Sequence, residues 1–362
     1  MTKRCRLFVI CLFSIHVFSQ FGFCQSYQIV DLGGMIAGST YSVANDINNT
    51  GYVIIAADIG GCLYSKEGGI QILPVPSGYT GVAPFGLNDQ NQIGVVGYNT
   101  EGGQFALFYS DNNYYTMGGP WGVLDYIDLN NNAQAVWGDP GPHSFFYDFN
   151  TKTSTQLSIL GYGINDAGQI AGSLDNSGVI LNPGGQTVNL GSNNIPFQIN
   201  NQGYATGSTT VSSNPSYVTH AFLWTPTNGI IDIHDNSMAT SSWAAAINNK
   251  TEIVGGFQPI SSSSSGGAFY YKNGQMIDLN NKIPANSGWV LTYATAINDL
   301  GQIVGMGTKN GTTKAFLLNP QYGDFPPGDC DVDGSDLAAL IANTSSMDLA
   351  TFAQNFGKST CQ

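Results

Sequence analysis

Asp329, Asp331 and Asp333 alternate along the chain and are followed by Gly334. A calcium loop presents oxygens from positions 1, 3 and 5 in this way and turns sharply at a glycine in position 6. In that register Leu340 stands at position 12, where a bidentate acid belongs. A second register puts Asp336 at position 12 but brings Phe325 and Pro327 to ligand positions. Asp329, Asp331, Asp333 and Asp336 therefore support one weak calcium site at most, and the competing reading is a hydrated acidic turn. Other chemistry is sparse. His143, His220 and His234 each sit beside strand-forming residues and read as structural histidines. Metal-protease, nucleophile-elbow, phosphate-loop and dinucleotide signatures are missing. A carboxylate pair for sugar chemistry would have to be assembled across the fold, where spacing along the chain does not reveal it.

The most frequent polar constellation is an asparagine set in one recurring phrase: an aliphatic residue, Asn, a second Asn or Asp, a variable residue, usually Gly, another variable residue, and an aliphatic or alanine. It reads INNTGYV from Ile47, INDAGQI from Ile164 and INDLGQI from Ile297, with four further copies. The anchors are Asn48, Asn88, Asn130, Asn165, Asn200, Asn248 and Asn298. Asn and Asp bond their own backbone in turns, and a glycine three residues on closes a type I turn with a bulge. Each phrase is thus a hairpin corner. Ala133 and Thr251 occupy the glycine slot in two copies, so those two turns are expected to differ in type. If all corners share one rim, the seven amides with Asp89, Asp166 and Asp299 would form a polar mouth able to take a glycan or an ion. The simpler alternative, favoured by the recurrence of a single amide, is that they hold the turns.

The strands that must position these corners are also repeated. After each corner comes a short apolar strand such as QIVG from Gln302. An aromatic third strand follows, as in FALFY from Phe105, HAFLW from His220 and GAFYY from Gly267, and then a fourth such as MIDL from Met276. Four short antiparallel strands in each repeat of blade size predict an all-β fold, a seven-bladed β-propeller over residues 26–320, with a β-solenoid or a six- or eight-bladed ring the alternatives. The seventh repeat ends at Pro320 without a fourth strand, whereas Ile29 to Leu32 match that pattern, so the N-terminal strand is expected to complete the last blade. Trp121, Trp137, Trp243 and Trp289 are expected to pack between blades, with stacking on sugars the alternative.

The phrases AINDLGQIVG from Ala296 and HAFLW from His220 resemble those of the HAF-repeat family of extracellular bacterial proteins. The resemblance covers about residues 26–320 and implies export and a β-rich repeat fold, without a settled activity. Only the repeat ending at Trp224 keeps the full His-Ala-Phe triplet, so its histidine is not a shared functional residue. Residues 321–328, with Pro326 and Pro327, read as a linker. Residues 329–362 are similar to a degenerate dockerin-type tail, an EF-hand-like loop running into short helical segments, with the DLA phrase of Asp336 repeated at Asp348.

Composition sets the outer limits. Lys3, Arg4 and Arg6 precede an apolar run from Leu7 to Phe18, so residues 1–25 read as a secretory signal peptide. A lipoprotein cleavage at Cys24 is the weaker alternative, because Phe23 stands where a small residue belongs. No later stretch has the roughly 20 apolar residues of a membrane span. Without the leader the chain holds 8 basic and 24 acidic residues, which argues against nucleic acid as a partner. Export favours a disulfide between Cys330 and Cys361, worth about 3–4 kcal/mol on chain entropy, and leaves Cys62 as a buried free thiol. The expected protein is secreted or displayed at the cell surface, monomeric and non-enzymatic. It binds a glycan or a protein and carries a weak calcium site in its tail; the alternative is a secreted glycosidase or lyase on the same scaffold.

Overall fold

The computed structural model describes residues 26–321, apart from 122, 125, 140–142, 213–216 and 261–265. Over these residues the chain forms seven sheets, each of four antiparallel strands, joined in sequence order. This is the seven-bladed propeller expected from the repeats. The innermost strands are Ser42–Ile47, Tyr79–Leu87, Tyr126–Leu129, Leu160–Ile164, Asn194–Ile199, Ala239–Ile247 and Trp289–Ile297, and they begin blades 1 to 7. In blade 7 the strands run Trp289–Ile297, Ile303–Lys309 and Thr312–Gln321, and Ser26–Asp31 pairs outside the last of them. The N-terminal strand therefore closes the ring. The expected C-terminal helical module, linker and signal peptide lie outside the described residues.

A blade is buried on both faces, so alternation along a strand selects apolar residues at successive positions instead of an apolar and a polar one. The third strands carry this furthest. Ala106, Ala221, Ala268 and Ala315 are fully buried, and the aromatics Phe108, Phe222, Phe269 and Phe316 beside the same strands are buried as well. Across the sheet these rings face Gly94, Gly207, Gly255 and Gly305 of the second strands. A Cβ on Gly255 would approach Phe269 Cε1 to 2.8 Å, and one on Gly305 would approach Phe316 Cζ to 2.9 Å. In blades 6 and 7 the glycine that ends the QIVG-like phrase therefore seats the aromatic ring of the third strand, and it also lies against the first-strand carbonyl of Trp243 or Tyr293. Neighbouring blades then interlock. Ala44, Val53 and Ile55 of blade 1 share one core with Ile303, Phe316 and Leu318 of blade 7.

Gly305→Ala is expected to destabilise the fold by about 1–3 kcal/mol through overpacking, because the Tyr293 carbonyl crowds the added methyl most closely and Ala294 Cα also stands 2.9 Å from it. Gly81, whose Cβ would meet nothing within 4 Å, is the control, and Gly81→Ala should change stability little. Urea unfolding of both variants checks this, and equal losses would refute the seating of Phe316 on Gly305.

Candidate functional site: the corner rings and the channel

Each anchor asparagine bonds its own turn first. Asn88 Oδ1 accepts from the N–H groups of Gln90 and Gln92 at 3.1 and 3.0 Å, and Asn298 Oδ1 accepts from Leu300 and Gln302 at 3.1 and 2.9 Å. The residue three beyond the anchor takes the left-handed conformation, as in Gly51 with φ 81° and Asn91 with φ 62°. Ala133 and Thr251 adopt it too, with φ 57° and 62°. The expectation that these two turns differ in type is corrected: the side-chain bonds of Asn130 and Asn248 hold the same turn despite the steric cost of a Cβ there.

The amide nitrogens do something that sequence reasoning missed. Asn48 Nδ2 donates to the backbone oxygen of Asn88, Asn88 to Asn130, Asn130 to Asn165, Asn165 to Asn200, Asn200 to Asn248, Asn248 to Asn298, and Asn298 back to Asn48. All seven bonds measure 2.9 to 3.1 Å. The anchors are only 3 to 4% exposed, so the circuit is buried. Most second amide hydrogens are used as well, on Gln92, Gln134, Gln169, Glu252 or Gln302 four residues beyond the anchor. At Glu252, burial pushes the carboxyl pKa up, but bonds from Lys272, Asn248 and Tyr270 outweigh it and hold the pKa below the usual range. Lys272 Nζ lies 2.8 Å from its Oε1.

A second circuit lies one residue further along. The backbone N–H of Asn49 donates to Asp89 Oδ1, and the pattern continues through Asn131, Asp166, Asn201, Asn249 and Asp299 back to Asn49, with bonds of 2.7 to 2.9 Å. No two of the three aspartates are neighbours in this ring. Asn131 Nδ2 sits between Asp89 and Asp166, 3.1 and 3.2 Å from their Oδ2 atoms. The corners therefore do share one rim, as the polar-mouth reading required. Their amides and carboxylates are nevertheless largely spent on each other, as the turn-holding reading required.

Inside the rings runs a channel of about 310 Å³, lined by all seven innermost strands. Its side chains stitch blade to blade. Asn45 Nδ2 donates to the Pro84 carbonyl at 2.7 Å, and Thr295 Oγ1 to that of Ala44 at 2.6 Å. Two carboxylates, neither singled out by the sequence pattern, do the same as acceptors. Asp46 Oδ2 accepts from Leu87 N–H at 2.9 Å, and Asp128 Oδ2 from Ile164 N–H at 2.8 Å and from Gln198 Nε2 at 3.3 Å. Asp46, Asp128 and Gln198 all stand two residues before an anchor, where the other blades have Gly or Ala, and aligning the seven corners would have exposed them. Asp46 lines the channel. Burial raises its pKa to about 8, with the nearby negative charge of Asp128 adding to the effect. Burial also raises Asp128 to about 6, against the lowering effect of its backbone and Gln198 bonds.

The remaining sequence candidates sit apart. His220 and His234 stack at 3.8 Å, with His220 Nδ1 2.8 Å from Asp232 and His234 Nδ1 2.7 Å from Ser242 Oγ. His143 rests 3.1 Å from Asp139. Trp137 stacks on Phe145 at 4.5 Å, and Trp289 meets Phe316 edge-on at 6.2 Å, so both serve packing. Cys62 is a buried free thiol whose pKa burial pushes up, in keeping with an inert side chain. Among the described residues no group of three His, Cys, Asp or Glu is arranged for a metal, and no helix is long and apolar enough to cross a membrane. Asp329, Asp331, Asp333, Asp336, Cys330 and Cys361 lie outside the described residues.

No family model matches the chain, and no curated protein does. Solved structures share its fold. The β-propeller domain of the Trilobed protease from Pyrococcus furiosus aligns with a TM-score of 0.55 at 7% identity, covering 81% of this chain and 98% of that one. The extracellular domain of a putative one-component system from B. thetaiotaomicron gives 0.51 at 13%, over 82% of this chain and 40% of the other. YCF48 bound to D1 peptide gives 0.51 at 11%, over 81% and 94%. These likenesses establish the propeller fold alone.

Asn165→Ala is expected to cost about 2–3 kcal/mol, because it strands the buried Asn200 carbonyl and the Gln169 amide hydrogen together. Denaturant unfolding measures this, and a loss under about 0.5 kcal/mol would refute the circuit's role. For Asp46 and Asp128 the folded pKa lies above the unfolded one, so the folded state binds more protons and stability falls as pH rises from about 4 to about 8. Asp46→Asn should flatten that fall by up to about 1.4 kcal/mol per pH unit in thermal unfolding followed from pH 4 to 9. An unchanged pH profile would contradict the raised pKa.

Proposed function

We propose that this chain is an extracellular, non-enzymatic binding or surface-interaction protein of the HAF-repeat kind, and that it recognises its partner through the face of the ring opposite the asparagine corners. The observation that carries the reading is the contrast between the two ends of the propeller. At the corner face the polar groups satisfy one another around two closed circuits. Of the fourteen large apolar side chains most exposed among the described residues, twelve stand at the other face, in the links between blades, the turns joining second to third strands, or the strand ends beside them. The two exceptions are Val188 on an outer strand and Leu300 at a corner. An apolar surface concentrated on loops over a rigid scaffold is the usual form of a recognition face.

The fold neighbours support the same role, since YCF48 was solved bound to D1 peptide and another neighbour is an extracellular domain. The leader supports export, and the tail would add a calcium-stabilised docking appendage through Asp329, Asp331, Asp333 and Asp336. A second reading, a glycosidase or lyase, is favoured by one observation: Asp46 keeps its proton near neutrality inside a polar channel and is coupled to Asp128. Against it, both carboxylates already accept backbone bonds from the adjoining blade.

The full chain is to be tested on glycan and peptide arrays, with and without calcium. Retention of a ligand whose mass is unchanged is the expected result. Cleaved products that vanish with Asp46→Asn would establish the enzyme instead, and no retention on either array would refute recognition by the ring.

A further inference from the structure

The loop face differs around the ring. Its exposed apolar groups in blades 1 to 5 include Ile59, Ile72, Val75 and Leu174 and the tyrosines Tyr41, Tyr98 and Tyr217. Interleaved with them are Asp58, Glu101, Asp139, Asp175, Asp232 and Asp235. No lysine or arginine among the described residues stands at this end of those five blades. Lys66 and Lys152 are in turns at the corner face, and Lys282, Lys309 and Lys314 belong to blade 7 and the link leading into it.

Resting on the binding role argued above, we propose that the loop face of blades 1 to 5 docks a basic polypeptide segment that also bears apolar side chains. Three observations choose this occupant. The exposed groups are mainly branched aliphatics, which complement protein side chains, with Tyr41, Tyr98 and Tyr217 the flat faces among them. The acidic groups, opposed among the described residues at this end of those blades only by His143 and His220 beside Asp139 and Asp232 and by His234, steer and select a cationic partner. The same charge excludes the alternatives nearest to hand: residues 322–362 add six acidic residues against Lys358 alone, and a second copy would set like charges together.

The surface is also built in advance. Asp58 accepts from Ser39 Oγ at 2.6 Å and from Thr40 N and Oγ1 at 3.0 and 2.6 Å, and its own N–H donates to the Tyr41 carbonyl at 3.2 Å. Those bonds hold the Asp58 carboxyl well below the usual range, so it stays ionised and clamps the Tyr41 link onto the turn that carries Ile59. Docking then costs little loop ordering.

The probe is a short labelled peptide alternating lysine and leucine, with lysine–serine and glutamate–leucine versions for comparison, titrated against the full chain by fluorescence anisotropy. The lysine–leucine peptide should bind at least about tenfold tighter than either comparison peptide, and weaken severalfold between about 0.05 and 0.3 M salt. Ile59→Ser with Tyr98→Ser should weaken it about tenfold, and Glu101→Lys with Asp175→Lys at least as much, each with an unchanged unfolding midpoint. Glu67→Lys, in a corner-face turn, should leave it unaltered. Equal loss with Glu67→Lys, or binding independent of peptide charge, would overturn the proposal. If instead the arrays return only neutral glycans, lost with Tyr98→Ser, the binding role stands and the basic-polypeptide assignment fails.

Discussion

The structure depends on one requirement: seven twisted sheets must close on themselves with every buried backbone group at the centre satisfied. The anchor asparagine meets it with a single side chain that has an acceptor and two donors. The oxygen holds the corner of its own blade, and the nitrogen reaches the anchor carbonyl of the next. Because the seventh bond returns to Asn48, a ring opened between any two blades would leave a buried amide and a buried carbonyl unpaired. Closure at blade 7 serves the same requirement, since Ser26–Asp31 pairs with Thr312–Gln321 as its fourth strand and the chain then runs on into blade 1, tying the first blade to the last.

Charge is distributed under a related rule. Around the second circuit, aspartates accept N–H bonds that asparagines could equally accept, yet no aspartate has another as its neighbour. Three is the most that a seven-membered ring can hold on that condition. Amides between the carboxylates donate to them and keep like charges apart. In the channel the solution is different: among the described residues neither Asp46 nor Asp128 has an ion pair, and burial keeps Asp46 protonated near neutrality instead. A neutral acid accepts the Leu87 bond without an uncompensated charge, at the expense of stability in alkaline solution.

These two arrangements make the corner face self-contained and leave the other end outside the circuits. The loops there are free of the closure constraint, and they vary in length between blades as the anchor intervals of 35 to 50 residues require. Rigidity below and variability above is the division of labour that lets one scaffold carry different surfaces.

Much of this was legible in the residues. The recurring Asn with its glycine three positions on specified the corner, and the interval between copies specified a blade. The unmatched Ile29 to Leu32 pattern foretold how the ring closes. Local chemistry determined these features, because turn geometry and strand alternation depend on residues a few positions apart. It failed at Ala133 and Thr251, where side-chain bonds from Asn130 and Asn248 impose a backbone that propensity disfavours. The inter-blade target of each Nδ2, the meeting of Asp46 with Asp128 and the gathering of exposed aliphatics on one face were decided by the tertiary structure alone. Each pairs residues some 35 to 250 positions apart, as Asn165 with Asn200 and Asn298 with Asn48. Only closing the circle sets the distance and dielectric between them.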